Sequence, residues 1–238
     1  MKLDILAIGV HPDDVELSCS GTLLKHIQQG KKVGILDLSI GELGSRGSGE
    51  LRLVEAANSA KILGVHVRET LDLSDGFFRN DKESQLKIIK IIRKYQPEVV
   101  LANAIHDRHP DHGRASALIS DSCFYSGLIK IKTEVDGKNQ EKWRPKAVYH
   151  YIQDRFIKPD FVVDVTPFVD KKIEAIKCFS SQFFNPESTE PKTPISGEDF
   201  FEFITGRMMQ YGREINVKYA EGFTVERYLG VEDLLGLK

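Results

Sequence analysis

The stretch LDILAIGV at residues 3–10, followed by HPDD at residues 11–14, decides the fold. Residues 3–10 form an almost continuous apolar run, which is typical of a strand buried on both faces of a parallel sheet. From about Asp14 to Gln29 apolar side chains recur at helical spacing, and Gly30 supplies a stop signal. The chain therefore opens with a buried strand, a polar turn and a helix.

The same alternation continues through the first half of the chain. It predicts strands at residues 32–40, 65–73 and 98–105, with helices at residues 50–63 and 82–95. This order of elements predicts an α/β, Rossmann-like three-layer fold with a mostly parallel sheet and right-handed crossovers.

The second half of the chain is less regular. It is predicted to contain helices near 113–126, 167–179 and 198–213, strands near 147–151 and 161–165, a polar excursion at 134–144 and a mobile proline-rich loop at 185–197. No linker or repeat divides the chain, so residues 1–238 are expected to form a single domain.

Composition excludes several classes of protein. The 238 residues include 33 Lys and Arg against 35 Asp and Glu, a formal net charge of −2. With 41% hydrophobic and 29% charged residues, the chain is neither disordered, collagen-like nor a disulfide scaffold. A net charge near zero provides no long-range field for phosphate backbones, so nucleic acid is not an expected partner.

Cysteine usage and the N-terminal run bear on the compartment. Cys19, Cys123 and Cys178 are odd in number and form no Cys-x-x-Cys pair, as expected of reduced thiols in a cytoplasm. The apolar residues 5–10 are far fewer than the ~20 that cross a bilayer, so they predict neither a signal peptide nor a membrane span. We therefore expect a cytoplasmic protein with no membrane partner.

The turn after the first strand carries the most informative polar residues. Open α/β sheets hold ligands outside the carboxyl ends of their strands, and His11-Pro12-Asp13-Asp14 lies there. His11 and Asp14 are three residues apart, and a turn entering a helix brings such side chains to one divalent metal. The alternative is that Asp13 or Asp14 only caps the helix.

A second cluster follows the fourth predicted strand, at the same edge of the sheet. Residues 106–112, HDRHPDH, contain three of the seven histidines in the chain. The alternatives are solvated surface histidines and an Asp111 that only caps a helix starting near Gly113. Together, the two clusters predict a metal site formed by His11, Asp14 and His112, with a position left for water.

Three protein ligands plus water is how catalytic zinc is usually held. Fe(II), Mn(II) or Co(II) suits the same donors. A metal in such a site makes hydroxide available near neutral pH, which favours hydrolysis. The reaction also needs a base and a proton donor, for which one carboxylate and one imidazole suffice. Spacing does not decide whether Asp13 or Asp14 is the base.

The sequence resembles the LmbE-like (PIG-L-type) deacetylases, which remove N-acetyl groups from glucosamine-containing substrates. The residues that carry the resemblance are VHPDD at 10–14 with GTL at 21–23, GELGSRG at 41–47, the helix from Glu50, and HPDH at 109–112. The resemblance implies that His11, Asp14 and His112 bind zinc and that Asp13 is the general base. It further implies that His109 steadies the oxyanion or protonates the departing amine.

Two further residues are implied to bind substrate. Arg52 matches an arginine that reaches the substrate, with a surface pair to Glu55 as the alternative. Asp75 matches a carboxylate for sugar hydroxyls at the end of the third strand, although Asp75-Gly76 is equally a turn signal. Roles for His106, Arg108, His150, Tyr211 and the 185–197 loop stay open, and Phe183 and Phe184 are expected in the core rather than in a lid.

Within the family, QFFNP at 182–186 and KYAEGF at 218–223 resemble the bacillithiol-pathway deacetylase that acts on N-acetylglucosaminyl-malate. A dicarboxylate aglycone requires cations, for which Arg46, Arg52 and Arg108 are candidates. The partner is then a small-molecule amino sugar, and the resemblance implies a homo-oligomer, a hexamer or a trimer.

Three rival functions remain. One is a deacetylase of chitobiose or of a mycothiol-type conjugate. A second is a metal-free, nucleotide-binding Rossmann protein, against which the absence of G-x-G-x-x-G after the first strand argues. The third is a non-catalytic module that keeps the metal for stability.

Overall fold

The computed structural model describes residues 1–237 and contains one large sheet of seven strands in the order β3-β2-β1-β4-β7-β9-β8. β3, β2, β1, β4 and β7 are parallel neighbours, whereas β9 runs antiparallel to both β7 and β8. The strands are β1 Ile5–Gly9, β2 Val33–Asp37, β3 Val67–Thr70, β4 Val99–Ala102, β7 Ala147–Tyr151, β8 Phe161–Asp164 and β9 Ala220–Val225. β5 Glu134–Val135 and β6 Lys138–Asn139 form a separate hairpin.

Helices cover both faces of this sheet. They are α1 Asp14–Gln28, α2 Gly49–Leu63, α3 Lys82–Tyr95, α4 Pro110–Ser126, α5 Val169–Lys177 and α6 Phe200–Glu214, with short 3-10 helices at Thr166–Phe168 and Leu234–Gly236. α1, α2 and α5 pack together on one face, α3 and α4 pack together on the other, and α6 lies against β8 and β9. The predicted three-layer α/β fold with a mostly parallel sheet is confirmed.

β1 shows why its sequence is apolar throughout. Ile5 and Ala7 belong to the core that contains Leu23 of α1, whereas Leu6 and Ile8 belong to the core with α3 and α4. Because both faces are covered, neither set of side chains reaches solvent, and the alternation of a half-exposed strand is lost.

The first four strands are shorter than predicted, but the segments that follow β1 and β2 remain hydrogen-bonded to each other. Past β2, the Leu38 amide donates to the Gly9 carbonyl at 2.9 Å and the Ser39 amide to the Val10 carbonyl at 2.9 Å. The carboxyl ends of β1 and β2 therefore lie side by side. Among residues 1–237 no helix combines the length and apolarity needed to cross a membrane.

One predicted helix begins at a different residue in the structure, and one strand of the structure was not predicted. The helix predicted from Gly113 begins at Pro110, because proline fits the first helical position and the His109 ring caps the helix in place of the usual Ser or Asp. β9 was not predicted, because Glu221 and Gly222 in its middle weaken the strand pattern.

Candidate active site

The turn between β1 and α1 places two adjacent carboxylates at the edge of the sheet. Asp13 adopts φ 131° and ψ −25°, a conformation that L residues rarely adopt, and such strain is typical of functional sites. Asp13 occupies the N-cap position but its side chain makes no capping hydrogen bond. The interpretation of these carboxylates as mere helix caps is therefore wrong for Asp13.

Asp14 is held by donors from three segments of the chain. Its Oδ2 accepts hydrogen bonds from the Val10 amide at 2.9 Å, the His11 amide at 3.1 Å and the Asn103 side chain at 3.1 Å. Its Oδ1 accepts one from Gln153 at 2.8 Å. Asn103 follows β4 and Gln153 follows β7, so the two strands beyond β1 fix this carboxylate.

The structure brings the three predicted metal ligands together. His112 Nε2 lies 3.2 Å from Asp14 Oδ1, and His11 Nδ1 lies 3.8 Å from Asp14 Oδ2. One donor atom from each of the three residues lies within 4.8 Å of the others, and all three residues are buried. Two imidazole nitrogens and one carboxylate oxygen at such spacing fit a divalent metal, and a three-residue donor set leaves room for water.

A carboxylate orients each imidazole of this set. His11 Nε2 contacts Asp75 Oδ1 at 2.8 Å, which leaves Nδ1 for a metal. His112 Nδ1 contacts Asp107 Oδ2 at 2.6 Å, which leaves Nε2. Such carboxylate–histidine contacts fix the ring and raise its basicity in metal sites. Asp107 was not predicted, although it lies within the second histidine cluster.

Asp75 therefore has a different contact from the predicted one. It lies beyond the end of β3 at Thr70, is buried, and uses Oδ1 for His11 and Oδ2 for the Leu43 amide at 3.0 Å. Its contact with sugar hydroxyls stays a prediction. Asp111 is the first-turn residue of α4, where its Oδ2 accepts from the Gly76 amide at 2.8 Å. The alternative that Asp111 only caps the helix is therefore wrong, since His109 occupies the N-cap position.

Charge separates the two carboxylates. Burial disfavours the ionised form of Asp14, but the imidazole of His112 outweighs it and holds the pKa of Asp14 well below its usual range. Burial likewise disfavours imidazolium at His112, but the carboxylates of Asp14 and Asp107 raise its pKa to about 10. Burial raises the pKa of Asp13 to about 6, although Arg52 opposes that shift.

Arg52 reaches Asp13 directly. Its Nη2 donates to Asp13 Oδ2 at 2.6 Å, and both side chains are buried. Glu55 instead accepts from the Ser181 amide at 2.8 Å, so the alternative of a surface pair between Arg52 and Glu55 is wrong. The predicted contact of Arg52 with substrate remains a prediction.

His109 completes the cluster. Its ring lies edge-on to His11, with centroids 4.9 Å apart, and stacks on His112 at 5.3 Å. Burial and the neighbouring imidazoles of His11 and His112 lower the pKa of His109. His109 also belongs, with His11 and Asp111, to a second group whose donor atoms lie within metal-binding distance.

A cavity of about 380 Å³ lies beside this cluster, and residues of α6 also line it. It contains all seven predicted site residues, namely His11, Asp13, Asp14, Arg52, Asp75, His109 and His112. Arg108 and Tyr211 also line it, and Thr193–Ile195 of the proline-rich loop contribute to its wall. The β5–β6 hairpin within the polar excursion contributes no residue to the lining.

Other residues with open roles lie elsewhere. His106 is exposed and contacts Arg155 at 2.9 Å, and the buried His150 contacts Ser116 at 3.0 Å and Glu226 at 3.0 Å. Phe183 is in the core as expected, whereas Phe184 is 41% exposed.

Arg46 holds the proline-rich loop rather than lining the cavity. Its guanidinium donates to the carbonyls of Ser181 at 2.8 Å and Pro191 at 3.0 Å and to the Ser188 hydroxyl at 3.0 Å. These contacts remove it from the arginines available to an aglycone.

The chain is similar to proteins with several named activities. Residues 6–123 match the family model described as PIG-L: GlcNAc-PI de-N-acetylase. Diacetylchitobiose deacetylase of Thermococcus kodakarensis is 29% identical over 229 residues, covering 92% of this chain and 81% of that protein. 4-oxalmesaconate hydratase of Pseudomonas putida is 28% identical, covering 91% of this chain and 86% of that protein.

A probable N-acetyl-alpha-D-glucosaminyl L-malate deacetylase of Bacillus anthracis is 23% identical, covering 75% of this chain and 81% of that protein. Similarity to known proteins therefore does not favour the N-acetylglucosaminyl-malate substrate over diacetylchitobiose.

One solved structure matches nearly the whole length. A conserved protein of Thermus thermophilus superposes with a TM-score of 0.85 at 34% identity, covering 97% of this chain and 98% of that one. With the family match over residues 6–123, which spans both histidine clusters, this similarity shows that the chain belongs to the PIG-L (LmbE-like) deacetylase family.

Proposed function

We propose that this protein is a zinc-dependent hydrolase that removes the N-acetyl group from a GlcNAc conjugate, and that its substrate is N-acetylglucosaminyl-malate in bacillithiol biosynthesis. The observation that carries the hydrolase proposal is the convergence of His11, Asp14 and His112 beside Asp13 in one cavity. Family membership supports the reaction class, and the resemblance of residues 182–186 and 218–223 supports the malate conjugate.

The chemistry divides among named residues. His11, Asp14 and His112 would hold a divalent metal, which would lower the pKa of bound water to about 7 and polarise the acetamide carbonyl. Asp13 accepts the water proton, because its pKa of about 6 places it in the ionised form at neutral pH and close to the optimum for a base. As the C–N bond breaks, acetate departs and the amine nitrogen takes up the proton that Asp13 removed from water, with His109 as the relay.

The first experiment measures acetate release and bound metal together. His11→Ala is expected to lose both metal and turnover, because it deletes a ligand. Asp13→Asn is expected to keep the metal and lose turnover by about 10²-fold or more, because the amide cannot accept the proton. Asp72→Asn, an exposed carboxylate whose side chain is 83% accessible, is the matched control. Full activity of Asp13→Asn would remove the general-base assignment.

Metal identity is tested by depletion and reconstitution. Chelation is expected to abolish turnover, and Zn²⁺, Fe²⁺, Mn²⁺ and Co²⁺ added singly then rank the activity of the loaded enzyme. Turnover that survives complete metal removal would contradict the proposal. A large fall in melting temperature on chelation, in a protein without any deacetylase activity, would instead support a structural metal.

Diacetylchitobiose is the second candidate substrate, favoured by the 29% identity to the Thermococcus kodakarensis enzyme. Competition between N-acetylglucosaminyl-malate and diacetylchitobiose gives the ratio of their kcat/KM values directly. Equal values would defeat the malate assignment and leave deacetylation intact. Turnover of 4-oxalmesaconate with no acetate released from either sugar would contradict deacetylation.

A further inference from the structure

The cavity extends well beyond the cluster that the reaction uses. Its far wall is one face of α6, with Phe200, Phe203, Ile204, Arg207, Met208 and Tyr211 among the lining residues. Acetamide hydrolysis needs none of these side chains. They face the part of a conjugate that lies away from the acetyl group.

Arg207 is the one charged residue of this wall. Its guanidinium carbon lies 5.2 Å from the centroid of the Phe203 ring and 5.8 Å from that of Phe156. Nη2 donates to the Asp154 carbonyl at 2.9 Å. Nη1 is buried and has no hydrogen-bond partner within residues 1–237. The guanidinium therefore has two aromatic rings nearby and one backbone acceptor, and one of its buried donors is unused.

The other arginines near the cavity have their charge engaged. Arg52 pairs with Asp13 at 2.6 Å. Arg108 pairs with the Asp154 carboxylate, so that acid is not available to Arg207. Arg46 donates to loop acceptors. Arg52 Nε and Arg207 Nη1 are both buried without a hydrogen-bond partner, but within residues 1–237 Arg207 is the one arginine of these four that forms no ion pair with a carboxylate.

Four further polar atoms of the cavity lining are buried without partners. They are Ser18 Oγ, Arg52 Nε, Gln153 Oε1 and Thr193 Oγ1. Buried polar atoms in folded proteins are almost always hydrogen-bonded, and exceptions that cluster in one cavity call for a ligand that supplies the missing partners. Hydroxyl and amide oxygens suit a polyhydroxy ligand, and the guanidinium N–H suits an anion.

We propose that Arg207 is the specificity-determining residue of an aglycone subsite and that it binds a carboxylate of the substrate. The substrate class is therefore an amino-sugar conjugate whose aglycone carries a carboxylate. This inference rests on the proposed deacetylation and adds the residue that selects among conjugates. A planar guanidinium matches a carboxylate in geometry and charge, and two parallel N–H donors give the contact its specificity.

The test uses two substrates that differ only in charge. N-acetylglucosaminyl-malate and its malate dimethyl ester are assayed with metal-loaded wild type, Arg207→Met, Arg207→Lys and Arg213→Met. Arg213 is an exposed arginine of the same helix and serves as the control. Arg207→Met is expected to lower kcat/KM for the acid about 10- to 100-fold, mainly through KM, and to leave the diester within about twofold.

Arg207→Lys is expected to recover part of the loss, since it keeps the charge without the fork. Equal losses on acid and diester would assign Arg207 a structural role and overturn the inference. So would a wild type that does not prefer the acid.

A binding measurement separates this inference from the proposed reaction. Calorimetric titration of glucosaminyl-malate, the amine product, into the metal-loaded protein needs no turnover. Kd is expected to rise about 10- to 100-fold in Arg207→Met and to stay unchanged in Arg213→Met. If wild type deacetylates nothing but shows this difference, the reaction proposal fails and the anion subsite stands. Equal affinity of wild type and Arg207→Met, or no binding by either, overturns the subsite.

Discussion

A buried ion pair inserted into α1 provides the sharpest test of how the fold supports the site. Lys172 Nζ lies 2.7 Å from Glu221 Oε1, with side chains 0% and 2% exposed. Lys172 also donates to the Leu17 carbonyl at 2.8 Å, and Glu221 accepts from the Gly21 amide at 2.9 Å. In an uninterrupted helix that carbonyl and that amide would bond each other. Lys172 of α5 and Glu221 of β9 thus bind both groups of one hydrogen bond of the helix.

The magnitude follows from these contacts. At an effective dielectric constant of 20, two charges 2.7 Å apart attract by about 6 kcal/mol, which desolvation of both ions largely offsets. Lys172→Met removes the attraction but leaves the Glu221 carboxylate buried and the Leu17 carbonyl without its donor. The expected cost is about 3–5 kcal/mol of unfolding free energy. Adding Glu221→Gln removes the stranded charge, so the double variant is expected to recover about 2 kcal/mol.

Urea denaturation of the metal-loaded protein measures these free energies. Lys171→Met, at the exposed neighbouring position, is the matched control and is expected to change stability by less than about 0.5 kcal/mol. Repeating the series after chelation shows how much of the loss passes through the metal, since the pair lies two turns from the Asp13 end of α1. A cost below about 1 kcal/mol for Lys172→Met, or a double variant as unstable as the sum of both single variants, would refute the reasoning.

Three further predictions concern the cluster itself. Asp107→Asn removes the carboxylate that orients His112, so metal affinity is expected to fall about 10- to 100-fold in a chelator competition. An unchanged affinity would contradict the role of Asp107 in orienting His112. Arg52 lowers the pKa of Asp13, so Arg52→Met is expected to move the acid limb of the kcat/KM profile to higher pH by about 1 unit. An acid limb at the same pH in the variant would show that the contact between Arg52 and Asp13 does not affect catalysis. A Cβ at Gly9 would lie 2.9 Å from a side-chain carbon in the first turn of α1. Gly9→Ala is therefore expected to lower the free energy of unfolding by about 1–3 kcal/mol, as measured by thermal or urea denaturation. An unchanged stability would mean that this turn shifts freely.

The parts of the site that the sequence predicted share one property. His11 and Asp14 follow one strand, and His109 and His112 follow its neighbour β4. Parallel strands bring their carboxyl ends to one edge, so local patterns and a topological rule are enough to place these residues together. No knowledge of side-chain contacts is needed.

The parts that the sequence did not predict depend on contacts between distant segments. Glu221 reaches the Gly21 amide across 200 positions of the chain, from a strand whose pattern is weak. The contact between Asp75 and His11 depends on the path of the chain after β3. An Asp-Gly turn signal does not specify that path. A surface position for Arg52 stayed open as an alternative because its helix has no strongly apolar face, but Arg52 is buried against Asp13, a contact that the sequence did not predict.

The division of roles between Asp13 and Asp14 illustrates what spacing alone leaves open. Asp14 accepts four hydrogen bonds, two of them from side chains that follow β4 and β7, and its pKa is held far below neutrality. Such a carboxylate is a poor proton acceptor and a permanent anion, which suits a metal ligand. Asp13 accepts one side-chain hydrogen bond, from Arg52, and has a pKa of about 6. A base for a reaction near neutral pH needs a pKa of that size. In the proposed mechanism, the side chains that follow β4 and β7 therefore separate the ligand from the base, because they bind Asp14 and not Asp13.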